Sequence, residues 1–247
     1  MRAIFRKLRS GLATLGAPIF LLFLVSRSLA ALSGGRVHLV TYALVAQPVG
    51  AQQGSAPRPD PRTVTRKIAP DDPLIAAFPR ALEVVRARFS SGSVCYTTTA
   101  QGRFAGHVWV AHGQYREDEV KCLYCLADAG QTVWDFDVYV EPRFRIGRTL
   151  SRMWAAVDQA LAVEGVRWTF SRISLFNPAS LKAHCRLGAI IIGRATFLVL
   201  GRWQVALCRP FPYVHVTGPG GDGPILRLAA PSPSTIRVQS PSHTVKG

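Results

Sequence analysis

The chain has 247 residues, 48% of them apolar, which is enough to bury a core and excludes disorder throughout. Against 14 acidic residues stand 30 basic ones, a net charge of +16 that points to an anionic partner and leaves the fold open. The charge is patchy. Residues 1–36 hold Arg2, Arg6, Lys7, Arg9, Arg27 and Arg36 without an acid, and residues 143–152 hold Arg143, Arg145, Arg148 and Arg152 without one. There is no long Lys/Arg block and no zinc-finger spacing, which argues against nucleic acid.

From the N-terminus, a basic start leads into an uncharged run from Ser10 to Ser26, with Pro18 inside it and Arg27 closing it. Three readings fit: a secretory signal, a short membrane span, or an amphipathic or packed helix with basic flanks on anionic lipid. We expect a helical segment over 1–35, membrane-associated or packed, with residues 1–36 offered to an anionic membrane surface. Arg36 to Gln47 is β-branched and aromatic enough for a strand. Pro48 to Pro73 reads as a long Pro-rich loop. Pro73 to Phe89 has helical spacing broken by Pro79. Ser93 to Thr99 and Phe104 to Ala111, joined by Gln101-Gly102, predict a hairpin. Val120 to Leu126 and Thr132 to Val140 predict two more strands.

Thr149 to Glu164 is predicted as a helix, since Leu150, Met153, Trp154, Val157 and Leu161 fall on one stripe and Gly165 stops it. Trp168 to Ile173 follows as a strand. Asn177 caps a short helix with Pro178 at its first position and Gly188 beyond its end. Ala189 to Leu200 and Trp203 to Cys208 close the body at about residue 210, and 211–247 is expected to be a disordered tail. The five cysteines are odd in number in a chain that is not short, which argues against a disulfide framework. Cys122 and Cys125 have redox spacing, but on a strand they point to opposite faces; buried thiols in a cytoplasmic, reducing setting fit better.

One constellation carries chemistry. A strand ending Val138-Tyr139-Val140 runs through Glu141 to Arg148 into an amphipathic helix, so backbone N–H groups, the helix dipole and arginine side chains converge where a pyrophosphate would fit. Cations at a helix start are unfavourable by about 0.3–1 kcal/mol each unless an anion joins them. Downstream lies Asn177-Pro-Ala-Ser180-Leu-Lys-Ala-His184-Cys-Arg-Leu-Gly188. Residues 93–208 thereby resemble the GCN5-related N-acetyltransferase (GNAT) superfamily: Val140-x-Pro142-x-x-Arg145 is similar to its strand exit, and Asn177-x-x-Ser180 to its downstream helix. The resemblance implies an α+β acyl-CoA N-acyltransferase fold over 36–210, with a mixed, mostly antiparallel central sheet flanked by helices. It also implies acyl transfer from acetyl-CoA to an amine or hydroxyl acceptor, a small molecule or a peptide.

The match departs from the family at its cofactor loop. Arg145-Ile146-Gly147-Arg148-Thr149-Leu150 has its one glycine displaced, and Arg148 and Leu150 stand where small residues are usual. Two accounts follow: binding through arginine side chains with a shifted backbone, or a loop that no longer binds, leaving a non-catalytic binding or scaffold protein. The resemblance implies backbone contacts from Val138, Tyr139 and Val140 to the pantetheine arm. It implies phosphate contacts from Arg143, Arg145, Ile146, Gly147, Arg148 and Thr149, and contacts from Asn177 and Ser180. His184 stands where many members carry a proton-donating tyrosine. Asp135 and Asp137 share a face by strand alternation and are the candidate general bases. Glu117-Asp118-Glu119 is the one acidic cluster, placed either at the acceptor site or in a polar turn.

Overall fold

The computed structural model describes residues 12–50, 58 and 60–231. The elements in chain order are α1 (Ala17–Leu32), β1 (Val37–Pro48), β2 (Thr63–Ile68), a 3₁₀ turn (Pro73–Ala77), α2 (Leu82–Ser90), β3 (Val94–Ala100), β4 (Arg103–His112), β5 (Gln114–Arg116), β6 (Leu123–Leu126) and β7 (Thr132–Val140). Then come a second 3₁₀ turn (Pro142–Phe144), α3 (Thr149–Val163), β8 (Trp168–Ser174), α4 (Pro178–Arg186), β9 (Ile190–Leu200), β10 (Trp203–Arg209), β11 (Val214–Thr217) and β12 (Ile225–Leu228). The class is mixed helix and sheet, and the strand pairs are antiparallel except β7 with β8.

The chain divides into two compact units. The first unit takes the described parts of 1–46, 116–125 and 172–247; the second takes those of 47–115 and 126–171. The first carries the antiparallel order β11-β10-β9-β1. One of its sheet faces is built from Tyr42, Phe197, Ala206 and Gln204, all fully or almost fully buried. Helix α1 is apolar apart from Ser26, Arg27 and Ser28, yet buries only Ser26, whose hydroxyl donates to the Leu39 carbonyl at 2.8 Å. Phe23 meets Phe176 edge-on at 5.4 Å. Among the described residues no helix is long and apolar enough to cross a membrane. The basic start, residues 1–11, lies outside the described residues.

The second unit carries β8-β7-β4-β3-β2. Its core joins Ile68, Ile75, Phe78, Val85, Cys95, Phe104 and Trp109, with Phe89, Phe136 and Tyr139 packed against them. Each such apolar side chain contributes about 1.5–3 kcal/mol by leaving water. Helix α3 buries Met153, Trp154, Val157 and Leu161 of the stripe that its spacing predicted, and Leu150 is half-buried.

Two expectations are corrected. The Pro-rich segment 48–73 is not all loop: Thr63–Ile68 pairs with β3 as an edge strand. Only Ile68 is buried in it, while Val64, Arg66 and Lys67 are exposed, so its composition reads as loop, as charged edges often do. The stretch 211–247 is not all tail, because β11 pairs with β10 from Val214 to Thr217 and β12 lies at Ile225–Leu228. Lys121 fixes the approach to β12: its ammonium donates to the carbonyls of Gly218 and Pro219 at 2.8 and 3.1 Å. Such partners are remote in sequence, so local composition alone reads as tail.

Candidate functional site

Strand β7 changes character halfway along. From Thr132 to Trp134 it pairs with β8 in parallel, and the register stops there. With β4 it pairs to its end, but with a slip: Trp109 opposes Phe136, whereas His107 opposes Tyr139. Asp137 and Val138 therefore face one residue, Val108, as a bulge, and Asp137 takes a left-handed φ of 45°. The slip puts Phe136 and Tyr139, three apart, against the same core. It also cancels the strict alternation that placed Asp135 and Asp137 on one face. The two carboxylates occupy separate surroundings.

Asp137 is gripped by Arg80, whose Nε lies at 3.0 Å, by Arg88, and by His107 Nε2 at 3.5 Å. Burial alone would raise its pKa; His107, Arg80 and Arg88 outweigh that and hold the carboxyl well below the usual carboxylate range. Arg88 also stacks over the rings of Trp109 and Phe136, at 5.4 and 5.2 Å. Burial pushes the His107 pKa down, with Asp137 opposing. A carboxylate held this firmly as an anion is a weaker proton acceptor than a free one.

Asp135 is 3% exposed. Burial raises its carboxyl to about 7, with the hydroxyls of Thr169 and Ser171 pulling the other way. It is thus the one aspartate of the pair that can hold or release a proton near neutral pH.

Beyond Val140 the backbone turns at once. Glu141 N donates to Ala105 O at 2.9 Å, and Pro142–Phe144 forms the 3₁₀ turn. Arg145 folds back, its Nε donating to the Val140 carbonyl at 2.9 Å and its guanidinium lying 5.8 Å over the Tyr139 ring. Arg143 stacks over Phe144 at 4.9 Å. Ile146, Gly147 and Arg148 are exposed, and Gly147 has a φ of 125°, open to glycine alone among common residues. Arg148 begins α3 without a side-chain cap, so the first N–H groups of the helix lack that partner. Thr149 is buried beneath. Gly106 on β4 sits under this turn. A Cβ there would stand 2.3 Å from the Tyr139 carbonyl and 3.4 Å from Met153 Sδ.

The remaining predicted site residues belong to the first unit. Asn177 Oδ1 accepts from Ser180 N at 3.1 Å, which is the N-cap of α4. His184 is buried in the last turn of that helix, and burial pushes its pKa down to about 4. Burial thus disfavours its protonated form at neutral pH. Arg172 holds Glu117 in a fork, with Nε and Nη2 at 2.7 and 2.6 Å. The same guanidinium lies 4.6 Å over the Tyr42 ring, and the Tyr42 hydroxyl donates to Glu119. Residues 116–121 line a cavity of about 440 Å³ with Gln204, Trp203 and Asp222. Among the described residues no cluster of His, Cys, Asp or Glu is suited to a metal ion.

The sequence reading missed Arg80, Arg88, His107 and Gly106. A glycine inside Phe104-Ala-Gly-His-Val-Trp was a signal, since a strand glycine often marks close backbone approach. The arginines carried no signal: they lie 57 and 49 residues before Asp137.

No protein-family model and no curated protein sequence matches the chain. It is similar to several solved structures, GNAT acetyltransferases among them. A functionally unknown conserved protein from Staphylococcus epidermidis matches with a TM-score of 0.49 and 12% identity, over 70% of this chain and 66% of the other. For a tandem GNAT protein of the clavulanic acid biosynthesis pathway the values are 0.47 and 16%, over 68% and 55%. For a GCN5-related N-acetyltransferase from Kribbella flavida they are 0.40 and 14%, over 77% and 63%. The chain spans less than two thirds of the length of each. At such distances the chemistry has to be argued from the residues themselves.

Proposed function

We propose that the protein is an acyl-CoA-dependent acyltransferase that passes an acetyl group from acetyl-CoA to an amine or hydroxyl acceptor within a ternary complex. The observation that supports this most is the C-terminal half of β7. Its pairing with β8 ends at Trp134, while β4 holds it in place to Val140, and an exposed arginine turn follows directly. A strand edge beside a helix start rich in arginine suits a ligand with an amide-bearing arm and phosphates.

In this reading Val138, Tyr139 and Val140 hold the amide arm through their backbone. Arg143 and Arg148 take the phosphates, together with the N–H groups of Ile146, Gly147 and Thr149. Arg145 braces the turn against Val140. When bound, acetyl-CoA supplies the acyl group as a thioester. Asp135, whose carboxyl burial raises to about 7, takes the proton of the attacking amine or hydroxyl through an intervening water, because its own side chain is only 3% exposed. Asp137 keeps its charge and fixes the bulge. Asn177 and Ser180 build the start of α4, and His184 packs there as a neutral ring.

The reading is tested by incubating the protein with acetyl-CoA and a panel of primary amines while following thiol release. Acceptor-dependent release that falls in Asp135→Asn is the expected result; no release and no acetyl-CoA binding at millimolar concentration defeats the proposal. A second reading, a non-catalytic binding module, draws on Arg145 occupying the Val140 carbonyl. Binding without turnover across the panel would select it.

A further inference from the structure

One face of the first unit's sheet is apolar and open. Register lays it out in rows: Leu200 beside Trp203, then Leu198 with Val205 and Val216, then Thr196 with Leu207 and Val214. The opposite face of the same strands is the buried one, with Phe197, Ala206 and Thr217. On the open face Trp203 and Leu207 are each 54% exposed, Val214 63% and Val216 60%. Phe211 and Tyr213, which join β10 to β11, are exposed as well and meet edge-on at 6.1 Å. β11 is the edge of its sheet. A contiguous apolar patch of this kind marks a surface that meets a partner.

The charge around the patch selects the partner. From Gly165 to Gly221 the sequence contains no Asp or Glu. Arg194 and Arg209 are register partners at one end of the open face, and Arg202 sits in the hairpin turn beside Trp203 at the other; all three are exposed. A second copy of the chain on this face would bring arginine against arginine. Anionic lipid headgroups would instead neutralise the rim, while Trp203, Phe211 and Tyr213 have the amphipathic aromatic character of residues that settle at a membrane–water boundary. Residues 1–36 are acid-free and basic, and their described part, 12–36 with Arg27 and Arg36, belongs to the same unit and adds to that attraction.

We propose that the β9–β10–β11 face docks on an anionic bilayer surface, its apolar rows entering the headgroup boundary and its arginines pairing with lipid phosphates. The inference is independent of the acyltransferase reading.

The test uses the full chain and two vesicle types, phosphatidylcholine alone and phosphatidylcholine with about a quarter phosphatidylglycerol. The protein should float with the anionic vesicles and stay behind with the neutral ones. Leu207→Glu with Val214→Glu should weaken partitioning roughly tenfold or more, with an unchanged melting curve. A second readout needs no disruptive variant. Acyl-chain-brominated phosphatidylglycerol vesicles should quench tryptophan emission strongly in the parent and much less in Trp203→Phe, because Trp109, Trp134 and Trp154 are buried and Trp168 is half-buried. Equal flotation of the double variant overturns the proposal, as does equal capture by neutral vesicles or an unquenched Trp203. A dimer in sedimentation that the same two substitutions break, with no vesicle binding, assigns the face to a second copy and also overturns it.

Discussion

The two halves of β7 are built to opposite ends. From Thr132 to Asp135 every residue is buried, and neighbouring strands pair on both sides up to Trp134. From Phe136 to Tyr139 the strand is half-buried, bulged, and paired in register on β4 alone. The carboxylates follow this division. Asp135, in the closed half, is deprived of water and of cations, so its proton is held to about pH 7. Asp137, in the open half, has three basic side chains around it and stays an anion far into acid. One strand thus carries a group that can exchange a proton and a group that cannot, separated by a single residue. The difference lies in partners rather than in depth, because neither side chain is well exposed.

The sharpest way to break this comparison is to remove the anion. Asp137→Ala should destabilise the protein by about 3–5 kcal/mol in urea unfolding, because the guanidinium groups of Arg80 and Arg88 lose the carboxylate they share. Asp137→Asn should cost less than Asp137→Val, since asparagine tolerates the left-handed backbone and a β-branched residue does not.

The pH dependence of melting should separate the two carboxylates by sign. The folded pKa of Asp135 is raised above the unfolded 3.8, so the folded state binds the extra proton, and stability falls as pH rises from about 4 to 7. The folded pKa of Asp137 is depressed, so its contribution is present above about pH 4 and is lost as the medium grows more acidic. Asp135→Asn should flatten the first slope and raise the melting temperature at neutral pH; Asp137→Asn should flatten the second. Melting curves of both variants that keep the parent's slopes would contradict the assignment.

Smaller effects probe the supports. Gly106→Ala should cost about 1–3 kcal/mol, because the new methyl meets backbone and strand β4 must move from under the turn. Asn177→Ala should cost about 1 kcal/mol, the value of a helix cap, and leave acetyl-CoA affinity unchanged. A large loss of that affinity would make Asn177 a ligand contact as well.

What the sequence disclosed was local. The stripe from Leu150 to Leu161, the turn Gln101-Gly102 and the Asn177-Pro178 cap each act over a few residues, and elements stand where those signals fall. The bulge was hidden, because Thr132 to Val140 alternates cleanly on paper and only pairing to β4 shows two residues opposite Val108. The division of labour between Asp135 and Asp137 was hidden for the same reason: the side chains that set it arrive from Arg80, Arg88, Thr169 and Ser171. The arginine turn was legible as chemistry, and Gly147 proved to serve a left-handed turn despite its displacement. The stabilising pair of Glu117 and Arg172 could not be paired from the sequence, since 55 residues separate them.

The account turns on the strand edge and arginine turn receiving a phosphorylated acyl carrier, and calorimetric titration of the full chain with acetyl-CoA tests this most directly. Saturable binding with one ligand per chain, weakened roughly tenfold or more in Arg143→Glu with Arg148→Glu, is the predicted result. Absence of binding, or equal binding by that variant with its melting temperature intact, would contradict it.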